Sequence, residues 1–264
     1  MPQGRLWGIV SARPDGATAV AAALAALLSA GSRTLLCDLN LERAEIAPLL
    51  DLDDSRSVYQ LAYAAQLAPV TAEELEAHVS WHEGMAILPG PSEPGQADLI
   101  SDHFLHSLLE TATRRFDSVV LDVGRVRADV PAALSENSVL WVVAPSRLGL
   151  AAFDRTWRRL ADEGAIWPAA ARVVLNRVGR HSLASVPSFL DRNYGIQVLG
   201  ELPDVPGFWQ EVESTRSLQA LSAQIPEQDR FKGAYGEEAV RLRAALQSLA
   251  QKLISSPKAA QVNV

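Results

Sequence analysis

The sequence predicts a three-layer α/β fold: a mostly parallel twisted sheet of about seven strands with helices on both faces. Two observations carry that prediction. Apolar runs of four to seven residues recur at 6–10, 34–37, 85–88, 118–121, 139–143, 172–175 and 198–202. Most are continuous rather than alternating, as expected for strands covered on both faces. Helical stretches lie between them, at 18–30, 58–66, 72–78, 99–115, 151–162, 183–192 and 206–221, with a last helix at 237–254. Strand–helix alternation of this kind builds a parallel sheet through crossover connections.

In chain order, "LWGIV" (6–10) is the first strand, and "SARPDGATAV" (11–20) turns it into an Ala/Leu-rich helix. That helix has the apolar length of a signal-peptide core, but Asp15 and a strand-like run precede it instead of a short basic lead. It is also too short to span a bilayer. "TLLCDL" resumes as a strand at once, which marks the helix as buried. "PGPSEPGQ" (89–96) reads as the longest loop, and the tail from Ser255 as frayed. No Pro/Gly/Ser linker and no internal repeat divides the chain, so one domain, 1–254, with a flexible tail, 255–264, is the expected organisation.

The chain has 264 residues, 48% of them hydrophobic and 21% charged, enough for a sizeable buried core. A net charge of −7 argues against a surface built as a whole for nucleic acid, though not against a local basic patch. The single Cys37 excludes an internal disulfide and fits a reducing, cytoplasmic setting, with the thiol acting as a small buried hydrophobe.

Ligands of such sheets bind where strands end and helices begin, because helix N-termini offer free N–H groups and a positive dipole. The stretch 11–20 is therefore the first candidate site. A phosphate loop of the G-x-x-x-x-G-K-[ST] kind needs glycines that let backbone amides wrap the phosphates, a lysine for charge and a Ser/Thr for Mg²⁺. Gly16 and Thr18 stand in the right order, but Ala17 occupies the lysine position. Upstream, Pro14 has no N–H to donate, and Asp15 is expected to put a carboxylate where phosphate would sit.

The order of elements resembles the ParA/MinD family of P-loop ATPases, whose loop reads K-G-G-V-G-K-T-[ST]. On that pattern Arg13 stands at the first, signature lysine; Pro14 and Asp15 replace the two glycines and one residue is missing; Gly16 and Thr18 match; Ala17 replaces the second lysine. "LLCDLNLERAEIAPLLDLD" is similar to the family's "LLVDLDLG…LAPLLGLD", with Asp38 at the first aspartate and Asn40 at the second, which in the family helps position the attacking water. "RFDSVVLDVGRV" resembles the Walker B segment with Asp122 in place. "VVLNRVG" carries Asn176 where the family contacts adenine, and "VLGELPDVPGFWQEVESTRSLQAL" is similar to the closing segment. The resemblance spans roughly residues 5–250 with no motif intact.

It implies a degenerate nucleotide site formed by Arg13, Gly16, Ala17, Thr18, Asp38, Asn40, Asp122 and Asn176. Thr18 and Asp122 would hold Mg²⁺ only if nucleotide binds. No catalytic residue is assigned, and the expected cofactor is none, ATP/Mg²⁺ entering only through residual binding. Charge-assisted hydrogen bonds to phosphate contribute about 1.5–3 kcal/mol each, so a total loss of about 4 kcal/mol weakens binding roughly a thousandfold. Asn40 cannot act as a carboxylate base.

Other groups are weaker candidates. His78/His82 and His103/His106 have spacings that put each pair on one helix face, but no third ligand accompanies them, so packed or solvated histidines are favoured over zinc. No nucleophile motif is present. The tryptophans 7, 81, 141, 157, 167 and 209 are scattered, as core or interface residues would be. Residues 151–192 hold seven arginines against four acidic residues, with Arg155, Arg158 and Arg159 on or beside one helix face. Some ParA-type relatives hold DNA non-specifically with basic residues in this half; a solvated helix face with local salt bridges is the favoured reading here. The last helix is amphipathic but lacks a strongly basic face with aromatic anchors, and no counterpart of the family's membrane-binding C-terminal helix is evident.

Within the family, "SVYQLAYAAQLAPVTAEELEAHVSWHEGMAILPGP" and "LLETATRRFDSVVLDVGRVRADVPAALSENSVLWVVAPSRLGL" resemble the CpaE/TadZ branch and its septum-site-determining relatives. That resemblance implies a non-catalytic or very weakly active scaffold that positions or assembles a Tad-type pilus or secretion machine. It would act as a homodimer with protein partners, cytoplasmic and recruited to a pole or the inner membrane face. The alternatives are a slow ATP-dependent dimerising switch and a DNA-associated partitioning factor.

Overall fold

The computed structural model describes residues 4–66, 68–126, 134, 139–163, 171–221 and 236–255. Strands β1 (Arg5–Ser11), β2 (Thr34–Asp38), β3 (Ser80–His82), β4 (Met85–Leu88), β5 (Ser118–Arg125), β6 (Val139–Val143), β7 (Arg172–Val178) and β8 (Val198–Pro203) form one sheet. Their order is β3-β4-β2-β5-β1-β6-β7-β8, with every neighbouring pair parallel except β3–β4. The chain leaves β1 toward β2 on one side, and β6 returns to the other side of β1. The loop after β1 thus opens into the crevice where the sheet reverses direction, the usual ligand position in such sheets.

Continuous apolar strands are explained by two cores, one on each face. Leu35, Cys37, Val119, Leu121, Trp141 and Val143 point to one; Leu36, Val120, Leu140, Val142, Trp7 and Ile9 point to the other. The first face is covered by α3 (Val58–Ala64), α4 (Ala72–His78), α5 (Asp102–Arg115), α6 (Arg147–Asp162) and α7 (Val186–Tyr194); the second by α1 (Ala17–Ser29), α2 (Ile46–Leu50), α8 (Pro206–Thr215) and α9 (Gly236–Ser255). Helix α1 is almost wholly apolar and is buried nearly all round, with Ala21, Ala22, Leu24 and Ala25 fully enclosed. Alanine has the highest helix propensity and its short side chain permits close approach to the sheet.

Several expectations shift. The sheet has eight strands among the described residues, not about seven, because Ser80–His82 pairs antiparallel with β4 at the edge. Its two-residue connection, Glu83 (φ 50°) and Gly84 (φ 83°), has the two positive φ values of a tight hairpin turn. His82 is therefore on a strand while His78 ends α4, and the two do not share a helix face. Glu83 fastens this hairpin to the segment after α8, its carboxylate accepting the Ser217 hydroxyl and the Leu218 N–H.

The helix expected over 206–221 ends at Thr215, since Arg216 adopts φ 59°, and a short 3-10 turn, Gln219–Leu221, follows. Helix α6 starts earlier than expected because Ser146 caps it, accepting the Gly149 N–H at 3.0 Å. The loop expected at 89–96 gives way to a 3-10 turn from Pro94. Ser255 ends α9, and the rest of the expected tail lies outside the described residues, as does Trp167. No helix among the described residues is long and apolar enough to cross a membrane.

Candidate functional site

The C-terminal ends of the central strands border a cleft of about 1180 Å³, lined by the loop after β1, the start of α1 and residues from the ends of β5, β7 and β8. Arg13, Gly16, Ala17, Thr18, Asn40 and Asn176 line it directly; Asp38, the last residue of β2, and Asp122, within β5, are fully buried and outside that lining. The eight residues singled out from the sequence thus gather at one end of the sheet. Arg177, Arg125, Trp209 and Arg216 line the same cleft and were not singled out. Arg177 directly follows Asn176, and its unusual φ of 61° was not legible in the sequence.

The loop is built around Gly16, which caps α1 with φ 91°. A side chain there would be strained and would also meet Asn176 Nδ2 at 2.6 Å. The first intrahelical bond runs from the Val20 N–H to the Gly16 carbonyl at 3.0 Å. The amides of Ala17, Thr18 and Ala19, which precede it, have no partner within the helix and border the cleft. Ala17 brings no charge to this end and is only 4% exposed.

Asp15 departs from the expectation. Its carboxylate does not project into the phosphate position: the residue is absent from the cleft lining and its side chain is 3% exposed. It turns inward beneath the loop, where Oδ2 accepts the Ala144 N–H at 3.2 Å and Oδ1 lies 3.6 Å from Arg13 Nε. Burial pushes its pKa up, opposed by the Ala144 bond and by the Arg13 and Arg177 charges. Asn176, which the resemblance assigned to adenine, donates from Nδ2 to the Asp15 carbonyl at 2.8 Å.

The carboxylate side is organised differently. Asp38 accepts the N–H groups of Asn40, Glu45 and Ile46 at 3.0–3.1 Å, so it caps α2 from the end of β2. It lies in register with Asp122 on the neighbouring strand. Burial, and then the Asp122 charge, drive its pKa well above the usual carboxylate range. Asp122 is pushed up to about 6, mainly by burial, with the Thr18 hydroxyl and the Gly124 N–H favouring its ionised form. Its Oδ1 accepts that N–H at 3.1 Å, while its buried Oδ2 has no hydrogen bond of good geometry. Asn40 packs on Gly124, where a Cβ would stand 2.3 Å from its Cγ.

For Mg²⁺ and nucleotide the fit is divided. Thr18 beside a buried carboxylate oxygen is a donor pair suited to a divalent cation. The phosphate side does not fit, because Ala17 supplies no ammonium, Pro14 no amide, and Asp15 sets a carboxylate beneath the loop. Among the described residues no group of three or more His, Cys, Asp or Glu is placed to hold a metal ion. His103 and His106 are both exposed on α5. On α6, Arg158 pairs with Asp154 at 3.0 Å and Arg159 lies 3.9 Å from Glu163, with Arg155 exposed beside them. Trp7 and Trp141 are core residues, and Trp157 stacks on Phe153 with ring centroids 5.5 Å apart.

No family model matches the chain, and no curated protein matches it either. Its fold is that of solved ParA and MinD ATPases. A ParA family ATPase from Chlorobium tepidum TLS superposes with a TM-score of 0.74 at 18% identity, covering 94% of this chain and 98% of its own. The septum site-determining protein MinD of Pyrococcus horikoshii OT3, in complex with Mg-ADP, gives 0.67 at 20% identity over 96% of each chain. The MinC:MinD cell division complex of Aquifex aeolicus gives 0.69 at 17% identity, covering 96% of this chain and 97% of that one.

Proposed function

We propose that this chain is a MinD/ParA-like protein that keeps the architecture of a nucleotide switch without its hydrolytic chemistry, and that it serves as a localisation or assembly scaffold for a Tad-type pilus or secretion machine. The observation that carries the first half is the loop itself. An uncharged, buried Ala17 stands at the lysine position, and Asp15 engages both Arg13 and Asn176 from beneath the loop. Lost charge-assisted bonds to phosphate weaken binding by roughly a thousandfold, from the same total of about 4 kcal/mol.

The second half rests on the sequence likeness of the 57–91 and 108–150 segments to CpaE/TadZ proteins. As a scaffold the chain pairs with a second copy across the degenerate site and recruits protein partners. Titration calorimetry with millimolar Mg-ATP tests the first half: no saturable heat is expected, and saturable binding with turnover overturns it. Co-purification with a Tad-type secretion ATPase, and neighbouring genes for that ATPase and pilins, test the second. Neighbours of a plasmid-partition kind alone would overturn it.

A second reading, a slow ATP-dependent dimerising switch, is favoured by one observation, the Thr18–Asp122 pair on the cation side. A DNA-partitioning role draws only on Arg155, Arg158 and Arg159. Two of these already meet acidic residues of their own helix or its C-cap, as a solvated face does.

A further inference from the structure

A carboxylate buried under a loop of anion-binding shape has to be held by the protein itself, and every polar group of Asp15 is so held. Its N–H donates to the Arg13 carbonyl at 2.6 Å and its carbonyl accepts from Asn176 at the end of β7 at 2.8 Å. Its carboxylate takes the Ala144 N–H, one residue past β6, at 3.2 Å and lies 3.6 Å from Arg13. The Arg177 charge also acts on it, and that guanidinium lies 3.9 Å from where a Gly16 side chain would begin. Arg13 and Arg177 are cations lining the cleft beside Gly16. One residue therefore joins the β1–α1 loop to two neighbouring strands and faces, from inside, the two cations an incoming anion would meet.

We propose that Asp15 is an intramolecular latch that closes the cleft to phosphate-type anions, neutralising Arg13 and Arg177 from beneath and pinning the loop to β6 and β7. The latch rests on the reading above, in which the site does not hold nucleotide tightly, and it adds a second reason to the uncharged Ala17. It is an autoinhibitory contact written into the chain. Asp15→Asn keeps an oxygen acceptor for Ala144 and removes the charge; Asp15→Gly removes both. The two variants therefore separate neutralisation from pinning to β6, while the bond to β7, made by the Asp15 main-chain carbonyl, is kept in both.

The test uses the full chain, with circular dichroism as the check on folding, metal-free pyrophosphate as the probe in titration calorimetry, and amide exchange at Ala144 read by NMR. Both variants are expected to bind pyrophosphate at least about tenfold more tightly than the unaltered chain, since a competing ionic contact is removed. Exchange at the Ala144 amide should accelerate about tenfold in Asp15→Gly and stay protected in Asp15→Asn. Equal affinity in the unaltered chain and Asp15→Asn overturns the latch, as does unchanged Ala144 exchange in Asp15→Gly; absence of saturation in both variants counts as equal affinity. The scaffold reading fails differently, by Mg-ATP binding and turnover in the unaltered chain, so the two failures are distinguishable.

Discussion

The two sides of the cleft are built differently. On the loop side, Gly16 caps α1 and Asp15 is turned in beneath it, held by the Ala144 amide and Arg13. On the carboxylate side, Asp38 and Asp122 stand in register on adjacent strands. The contacts explain the contrast. Asp38 caps α2 through three backbone amides, so it is held in place by the fold whether or not a nucleotide ever binds. A lysine at position 17 would have had no such second task. On the reading proposed above, the aspartates are therefore weak support for nucleotide chemistry, and Ala17 is the stronger sign against it.

The largest test of this contrast is Asp38→Ala. Three amides lose their acceptor, one of them fully buried, and the chain is expected to lose about 3 kcal/mol, a fall of roughly 6–12 °C in melting temperature. A change within error would mean that Asp38 is kept for something other than the fold. Next comes the pair Asp15→Gly with Ala17→Lys, which adds a positive charge and removes the buried carboxylate on the loop side. Mg-ATP affinity should rise about a hundredfold, or about 2.7 kcal/mol, measured by calorimetry. No gain would place the defect elsewhere, with Pro14 and the missing loop residue as the next suspects.

A third effect belongs to the carboxylate side and runs opposite in sign to Asp38→Ala. Asp122 has its pKa raised to about 6 by burial, so the folded chain binds its proton more tightly than the unfolded chain does. Its contribution to stability is full below the unfolded pKa near 4 and is lost as pH rises through about 6. Asp122→Asn should remove that slope and raise the stability at pH 7 by about 2–3 kcal/mol, read from denaturant melts at pH 4.5 and 7. A destabilised variant at pH 7 would show that Asp122 is compensated by a partner. The smallest effect is expected for Arg158→Glu with Arg159→Glu, which should leave both the melting temperature and retention on duplex DNA unchanged. Salt-dependent retention that the variant loses would instead promote the partitioning role.

The central strands were legible because a strand buried on both faces must be apolar throughout, and Val119–Leu121 or Val139–Val143 can be read no other way in their setting. The position of the site was legible for a related reason, since strand, polar turn and helix at 6–30 leave one end of the sheet for a ligand. β3 was missed because three residues of mixed polarity at an edge carry no periodicity; its signal was the Glu83–Gly84 turn. α2, five residues long, owes its start to Asp38 rather than to its own composition. The direction of the Asp15 side chain depends on an amide 129 residues away. No local pattern encodes that, and charge alone suggested the wrong side of the loop.

Helix α1 carries one more consequence. A protein that draws part of its stability from a saturating ligand weakens when that ligand is withdrawn. Here the segment that would clasp the ligand is the first turn of a thirteen-residue helix sealed among apolar neighbours, with Ala22 and Leu24 shut off from water. The anchorage comes from contacts that no small molecule supplies. On these terms the cleft could change its tenant, or lose it, while the walls around it stood unmoved.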